Sequence, residues 1–474
     1  MIASNRGPVS FSEGESGQVR MSRGAGGLVA ALGSFAATDA LWVCAALRDV
    51  DRRVARAAPG GRLDQAGYDT GTGPVRMLPI DPLVMRRAYN GIANTTLWFI
   101  HHMLYSTPST PVFDLAWRRE WAAYQTYNAA FADSIAEEAG PNGRALVQDY
   151  HLSLAPRLLR QRRPDLLIAH FSHTPWAPPD YFSLLPSDVA REVLEGVLGA
   201  DHAGFLSPRW ARAFLDCAEH VLGAAVDRTA MTVRHDGRTT SVGVHPLGID
   251  GPGLRARAAQ ADVTARVSDL REQTEGCLVI SRVDRTELSK NIVRGLAAYR
   301  ELLRTRPQWQ GRVVHVAFAY PSRHDLPEYR EYTAAVLRVA AEINDEFATP
   351  QWSPVLLGVE DDYARSLAAY RVADVLLVNP IRDGMNLVAK EGPLLSERGC
   401  ALVLSSEAGA ADELGPHCLL VNPFDISGTA DALHEALSMP AQQRLTGSRR
   451  LAELSVAMPP RAWLDSQLSA LAPH

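Results

Sequence analysis

Three groups of residues in this 474-residue chain have the types and spacing for chemistry on phosphorylated molecules. The first is Arg285-Thr-Glu-Leu-Ser-Lys290, which places two cations after an apolar run and before a helical pattern. Cations so placed can neutralise a diphosphate and stabilise it as it departs. Arg282 competes with Arg285 for that role. The second group, Arg382-Asp-Gly-Met-Asn-Leu-Val-Ala-Lys-Glu391, follows the apolar run Val375–Val378. A helix beginning near Asn386, just past a buried strand, presents unpaired N–H groups and the positive end of its dipole to an anion. Asp383 can accept hydrogen bonds from hydroxyls, and Glu391, a little over a turn into the helix, can clasp a ribose. The third group is Asp149-Tyr-His-Leu152 with His173-Thr-Pro-Trp176, each just after a strand-like run and in the layer where ligands bind. Taken singly, the same residues also fit plainer roles: a capping Asp, charges on a surface loop, a satisfied core His.

These groups need strands that end at one level and helices that begin there. Strand-like runs recur at Leu41–Leu47, Val75–Pro79, Ala145–Gln148, Leu166–Phe171, His202–Leu206 and Thr239–Val244, with helical patterns at Asp114–Glu138, Val189–Leu198 and Pro208–Val221. Such alternation predicts parallel strands with crossover helices. Pro and Gly cluster at His245–Gly253, the expected linker. A second alternating series follows: strand Cys277–Ser281, helix Asn291–Leu303, strand Val313–Phe318, helix Tyr329–Phe347, strand Pro354–Gly358, helix Asp361–Ala369, then Val375–Val378, Ala401–Leu404 and Cys418–Val421. The fold class expected is α/β: two doubly wound, Rossmann-like domains facing each other across a cleft. The first covers 1–247, the second 248–455, and a final helical segment, 456–474, crosses back to the first.

Other motifs are weaker. Gly24-Ala-Gly-Gly27 precedes an apolar helical stretch, Leu28–Ala36, but Val29 stands where a dinucleotide fingerprint needs its third glycine. A Rossmann dehydrogenase is therefore disfavoured, although the glycines still let a ligand approach the backbone. Asp49-Val-Asp51 matches a metal-binding Asp-x-Asp, yet alone it reads as an exposed loop. The abrupt Ile2-Ala3 reads as the end of a strand whose start would precede Met1.

Composition fits this picture. A hydrophobic content of 46%, 21% charged residues and a net charge of −5 describe an ordinary soluble chain, with Lys and Arg dispersed rather than gathered for a nucleic acid or a membrane surface. Five widely spaced cysteines without a Cys-x-x-Cys pair read as reduced thiols, and no apolar run is long enough to span a membrane. The expected location is the cytoplasm; the composition is silent on oligomeric state and compatible with a homo-oligomer.

The motifs occur together in an order that resembles the trehalose-6-phosphate synthase family, family 20 glycosyltransferases of the two-domain GT-B fold. Ser4-Asn-Arg6, Ala25-Gly-Gly-Leu28, Tyr89-Asn-Gly through Leu97-Trp98, Asp149-Tyr-His-Leu152, His173-x-Pro, Arg285-x4-Lys290, Pro321-Ser-Arg323 and Arg382–Glu391 carry the likeness along the whole chain. The resemblance implies that Arg285 and Lys290 hold the donor's diphosphate and Glu391 its ribose. Asp383, with the backbone of Gly384, Met385, Asn386, Leu387 and Val388, would meet the transferred ring and phosphates, and Gly27 would approach the donor from the first domain. Arg6, Tyr89, Trp98 and Arg323 would seat the acceptor's phosphate, with Asp149 and His173 on ring hydroxyls. It also implies no metal, no cofactor beyond the nucleotide donor, and retention of configuration without an enzyme nucleophile. A leaving phosphate oxygen would take the acceptor's proton on the same face.

Three departures stand out. The family's Gly-Trp-Ser-Gly corresponds to Cys44-Ala-Ala-Leu47, its Asp-Tyr-x-Lys-Gly is replaced by Arg285-Thr-Glu-Leu-Ser-Lys-Asn291, and its His-Asp-Tyr-His-Leu by Gln148-Asp-Tyr-His-Leu. They point to the pseudo-glycosyltransferase branch typified by validoxylamine A 7′-phosphate synthase, which joins GDP-valienol to the amine of validamine 7-phosphate. The alternatives are a trehalose-6-phosphate synthase using UDP- or GDP-glucose with glucose 6-phosphate, and a non-catalytic paralogue that binds sugar phosphates and regulates a partner.

Overall fold

The computed structural model describes residues 1–14, 18–23, 40–323 and 325–471. The chain divides into two units: Met1–Leu247 joined by the segment from Pro460 onward, and Gly248–Pro459.

The first unit contains β1 (Ile2–Ser4), β2 (Val9–Glu13), β3 (Val19–Arg23), β4 (Trp42–Ala45), β5 (Val75–Leu78), β6 (Arg144–Gln148), β7 (Leu167–Ser172), β8 (His202–Phe205), β9 (Ala225–Asp227), β10 (Thr232–His235) and β11 (Arg238–Val244). Nine of these form one sheet in the order β5-β4-β1-β6-β7-β8-β11-β10-β9, parallel except where β10 joins β11 and β9. β2 and β3 form a separate antiparallel hairpin. The apolar runs Ala145–Val147 and Ile168–Ala169 are buried because crossover helices cover both faces of a parallel sheet. Helix Leu115–Glu138 shows how one such cover forms. The Asp114 side chain accepts the Trp117 N–H at 2.9 Å and caps it, and Trp117, Trp121, Tyr124, Phe131 and Ile135 fall on one buried stripe. The helix Pro460–Ala470 returns to this unit, where Trp463 is fully buried with its ring edge-on to Phe171, centroids 5.0 Å apart.

The second unit contains β12 (Leu278–Arg285), β13 (Val313–Tyr320), β14 (Val355–Gly358), β15 (Val375–Val378), β16 (Ala401–Ser405) and β17 (Leu419–Val421). They form a sheet in the order β14-β13-β12-β15-β16-β17 with every ladder parallel. The winding direction reverses between β12 and β15, the place where doubly wound sheets take ligands. β12 stays paired with β13 as far as Arg285↔Tyr320, but with β15 only at Ile280↔Val375 and Ser281↔Leu376. Past Ser281 the two strands part and leave a crevice.

Several details differ from expectation. β12 continues through charged residues to Arg285, so this arginine ends a strand rather than sitting in a loop. Asp49-Val-Asp51 is the first turn of helix Asp49–Ala57, not an exposed loop. The Asp51 carboxylate is buried and accepts the N–H of Phe11 at 2.7 Å and of Arg48 at 2.9 Å, which is capping and anchoring rather than metal binding. The helix expected near Asn386 runs Val388–Leu395. Its start is delayed because Asn386 takes a left-handed backbone (φ 76°), while its side-chain oxygen accepts the Ala389 N–H at 3.3 Å.

Candidate functional site

In the second unit the crevice between β12 and β15 holds a network of charges. Lys290, in a short turn after β12, places Nζ 2.6 Å from Asp383 Oδ2, which follows β15. Burial opposes the lysine's charge, but Asp383, Asp284 and Glu287 outweigh it and hold its pKa above the ordinary value. Arg285 is 44% exposed and pairs through Nη1 with Glu287 Oε1 at 2.9 Å. Arg282 is fully buried: Nη1 donates to Asn379 Oδ1 at 2.5 Å, Nη2 donates to the Lys290 carbonyl, and Nε lies 3.0 Å from Asp284. These contacts set the two arginines apart. Arg282 braces the crevice across the parted strands, and Arg285 presents its guanidinium to solvent where a ligand can reach it.

The turn after β15 is pinned from behind. Gly409 N–H donates to the Asp383 carbonyl at 3.1 Å and Ala410 N–H to the Met385 carbonyl at 2.8 Å, with Asp383 N–H donating to Glu407 at 3.2 Å. A Cβ on Gly409 would lie 1.9 Å from the Gly384 oxygen, so only glycine lets the two turns come this close. Asn386 Nδ2 donates to Asp383 Oδ2 at 3.1 Å, fixing the carboxylate that Lys290 also engages. Leu387 and Val388 open the helix, and Glu391 lies in its first turn. Burial raises the Glu391 pKa, partly countered by a hydrogen bond with the buried Tyr370. Tyr370 lies beside the carboxylate expected to hold a ribose.

In the first unit the sheet reverses between β1 and β6, and the expected residues gather at the ends of those strands. Asp149, directly after β6, holds φ 73° and ψ 168°, a conformation that glycine alone takes freely. Burial alone would raise its pKa; the His151 hydrogen bond, the charges of His173 and His151 and the Tyr150 N–H prevail and bring it to about 2. Its Oδ1 accepts the His173 N–H at 3.2 Å, and the His173 ring meets Gln148 Oε1 at 2.9 Å. Burial lowers the His173 pKa, countered in part by the charge of Asp149. Trp463 supports it from the returning helix, 5.6 Å between centroids.

An aromatic row lies beside this carboxylate. Tyr89 stacks on His151 at 5.6 Å, His151 lies 4.0 Å from Tyr150, and Trp98 lies 5.7 Å from Tyr150. Tyr89 belongs to a π-helical stretch, Arg87–Leu97, with Trp98 immediately after it. In an α-helix their spacing would put the two rings on opposite faces; the wider i→i+5 turn brings them round to the same neighbours. Arg6 follows β1 with its side chain exposed. Arg323 lies in the second unit, its Nη1 donating to Tyr329 Oη at 2.7 Å. Gly27 lies outside the described residues.

Sequence reasoning passed over Glu287, Tyr370, Gly409 and the Asn5–Tyr127 contact (2.6 Å) at the end of β1. Glu287 carried a signal, an acidic residue lodged between two cations; Tyr370 and Gly409 carried none that spacing could reveal. Among the described residues, three groups able to ligate a cation converge at Glu195, His235 and Asp236, where Glu195 already pairs with Arg157 and Arg191.

Comparison with known proteins gives the same picture over the whole chain. Residues 1–472 match glycosyltransferase family 20. A bifunctional trehalose-6-phosphate synthase/phosphatase of Thermoproteus tenax is 34% identical over 96% of this chain, which spans 60% of that protein's length. The UDP-forming α,α-trehalose-phosphate synthase of Schizosaccharomyces pombe is 32% identical over 95% of this chain and 86% of its own. Among solved structures, a UDP-forming α,α-trehalose-phosphate synthase from Burkholderia vietnamiensis is 30% identical with a TM-score of 0.84, covering 99% of this chain and 98% of that one. The E. coli trehalose-6-phosphate protein bound with UDP-2-fluoro glucose also superposes with a TM-score of 0.84, at 26% identity, covering 99% of this chain and 98% of that one. Two doubly wound units, charged switch points and likeness along the full length lead to one conclusion: this chain belongs to glycosyltransferase family 20, with the GT-B fold.

Proposed function

We propose that this protein transfers a glucosyl group from a nucleoside-diphosphate donor to glucose 6-phosphate, forming trehalose 6-phosphate with retention of configuration. The observation that carries the reading is the cation cluster at the β12–β15 switch point, Arg285 and Lys290 beside Asp383. Arg285 and Lys290 take the diphosphate and stabilise the charge that develops as the anomeric C–O bond breaks. Lys290 can serve only as a cation, since its neighbours keep it protonated. Asp383 and the Gly384–Leu387 backbone orient the ring, and Glu391 receives the ribose. In the first unit Asp149 stays ionised and accepts from sugar hydroxyls, while the Tyr89–His151–Tyr150–Trp98 row offers an apolar face to a ring. The new bond forms between the anomeric carbon and the acceptor oxygen, whose proton passes to the departing phosphate oxygen. This reading assigns no metal, no cofactor and no enzyme nucleophile.

One observation favours a second reading, coupling of a nucleotide-activated cyclitol to an aminocyclitol phosphate. Cys44–Leu47 lacks the bulky ring that the resemblance leads one to expect, and the buried Cys44 thiol packs against Gly7, where a Cβ would come within 2.4 Å of Sγ. The named relatives are trehalose-phosphate synthases, so the sugar reading stands first. Incubation with UDP- or GDP-glucose and glucose 6-phosphate, and separately with GDP-valienol and validamine 7-phosphate, separates the two by product mass. A thermal shift with sugar phosphate but no product from either pair would mark a regulatory binder instead.

A further inference from the structure

Glu287 carries a carboxylate with no access to water, 0% exposed, two residues beyond Arg285. Its Oε1 forms an ion pair with Arg285 Nη1 at 2.9 Å and accepts from Ser322 Oγ at 2.8 Å, and its Oε2 is buried without a hydrogen-bond partner among the described residues. Burying a carboxylate is costly unless cations and donors surround it. Here they do: the charges of Arg285, Arg323 and Lys290 overcome the effect of burial and bring its pKa to about 2.

Ser322 immediately precedes Arg323, whose backbone lies in the left-handed region at φ 48°. An arginine persists there only when its surroundings over-determine it. The contacts that hold it include the Ser322 hydroxyl on Glu287 and the Arg323 guanidinium, which donates to Tyr329 Oη and lies 5.5 Å from that ring's centroid. One buried anion therefore reaches the end of β12 directly and the turn after β13 through a single hydroxyl.

We propose that Glu287 is a positioning residue that sets two guanidinium groups at once: Arg285 by direct pairing, and Arg323 through Ser322. This rests on the reading above, in which Arg285 meets the donor diphosphate, and on the family resemblance, which puts Arg323 at the acceptor phosphate. One carboxylate then aligns the cations for both substrates before either arrives, and removing its charge releases both. A purely structural role would change stability or kcat without moving two Michaelis constants together.

The test is steady-state kinetics with UDP- or GDP-glucose and glucose 6-phosphate, on full-length wild type, Glu287→Gln, Glu287→Asp and Ser322→Ala. Glu287→Gln is expected to raise KM for both donor and acceptor about tenfold, and Glu287→Asp to restore part of both. Ser322→Ala, which keeps the carboxylate and its pair with Arg285, should raise the acceptor KM more than the donor KM. Unchanged Michaelis constants in folded Glu287→Gln overturn the proposal. Should that variant not fold, an unchanged acceptor KM in Ser322→Ala overturns it alone. Wild type that turns over neither nucleotide sugar, and shows no thermal shift with UDP or GDP, defeats the underlying reading and this proposal with it. Wild-type turnover with unmoved variants defeats only the role of Glu287.

Discussion

Lys290 Nζ and Asp383 Oδ2 stand 2.6 Å apart across the switch point of the second sheet, closing an ion pair between residues that follow two different strands. On the reading proposed above, a diphosphate at Arg285 would compete for the ammonium, and the ring it carries would supply hydroxyls to the carboxylate.

Lys290→Ala should lower kcat about a hundredfold, or about 3 kcal/mol of transition-state stabilisation, because the ammonium is needed most as the diphosphate departs. Single-turnover rates with donor and acceptor saturating measure this. Turnover within a few-fold of wild type would remove Lys290 from the chemical step.

Glu391→Ala should behave differently. A ribose contact is made equally in ground and transition states, so the donor KM should rise ten- to a hundredfold with kcat little changed. Tyr370→Phe, which removes a hydroxyl beside Glu391, should give a smaller shift in the same direction. A fall in kcat at constant KM would contradict the assignment.

Trp463→Ala should destabilise the protein by about 3–5 kcal/mol, the usual cost of emptying a fully buried tryptophan site. Urea unfolding reports this. The same substitution removes the ring behind His173, so activity should fall further than the folded fraction does. Equal losses would mean the returning helix stabilises without positioning.

Stability should decline as pH falls below about 6.5. Burial lowers His101 and His202 to about 3 and His170, His245 and His315 to about 4, from an ordinary 6.5. The unfolded chain takes up these protons first, so the stability these neutral rings contribute is complete above about 6.5 and is lost as pH falls toward their folded pKa values. Asp149 and Glu287, held at about 2 against ordinary values of 3.8 and 4.5, act in the same direction at lower pH. Their contribution is complete above about 4.5 and is lost as pH falls toward 2. Urea midpoints measured from pH 7.5 to 4.5 should fall steadily; a flat profile would show that the imidazoles are not held neutral.

The sequence made the two sheets legible because their strands are short apolar runs bounded by turns, as at Val375–Val378, and a run buried on both faces needs no partner to be recognised. It was less informative where charge enters a strand: β12 continues through Arg282, Asp284 and Arg285 because β13 pairs with it there, which composition does not show. The Asp51 side chain is another such case, its burial created by Phe11 forty residues away. The π-helical turn bearing Tyr89 was invisible for a related reason, since the residues that fill its wider turns suit an α-helix equally well. At the candidate site, cations and carboxylates were recognisable by type, whereas Tyr370 and Gly409 act through contacts fixed only once distant turns meet. The cyclitol donor suggested by the departures at Cys44–Leu47, Arg285–Asn291 and Gln148 finds no support among the named relatives; glucosyl transfer is the reading carried forward.

The most direct test of the central claim is a crystal structure with UDP or GDP bound. The account predicts the β-phosphate within hydrogen-bonding distance of Arg285 and Lys290, the Lys290–Asp383 pair opened, and the ribose on Glu391. A diphosphate lodged away from both cations, with that pair intact, would contradict it.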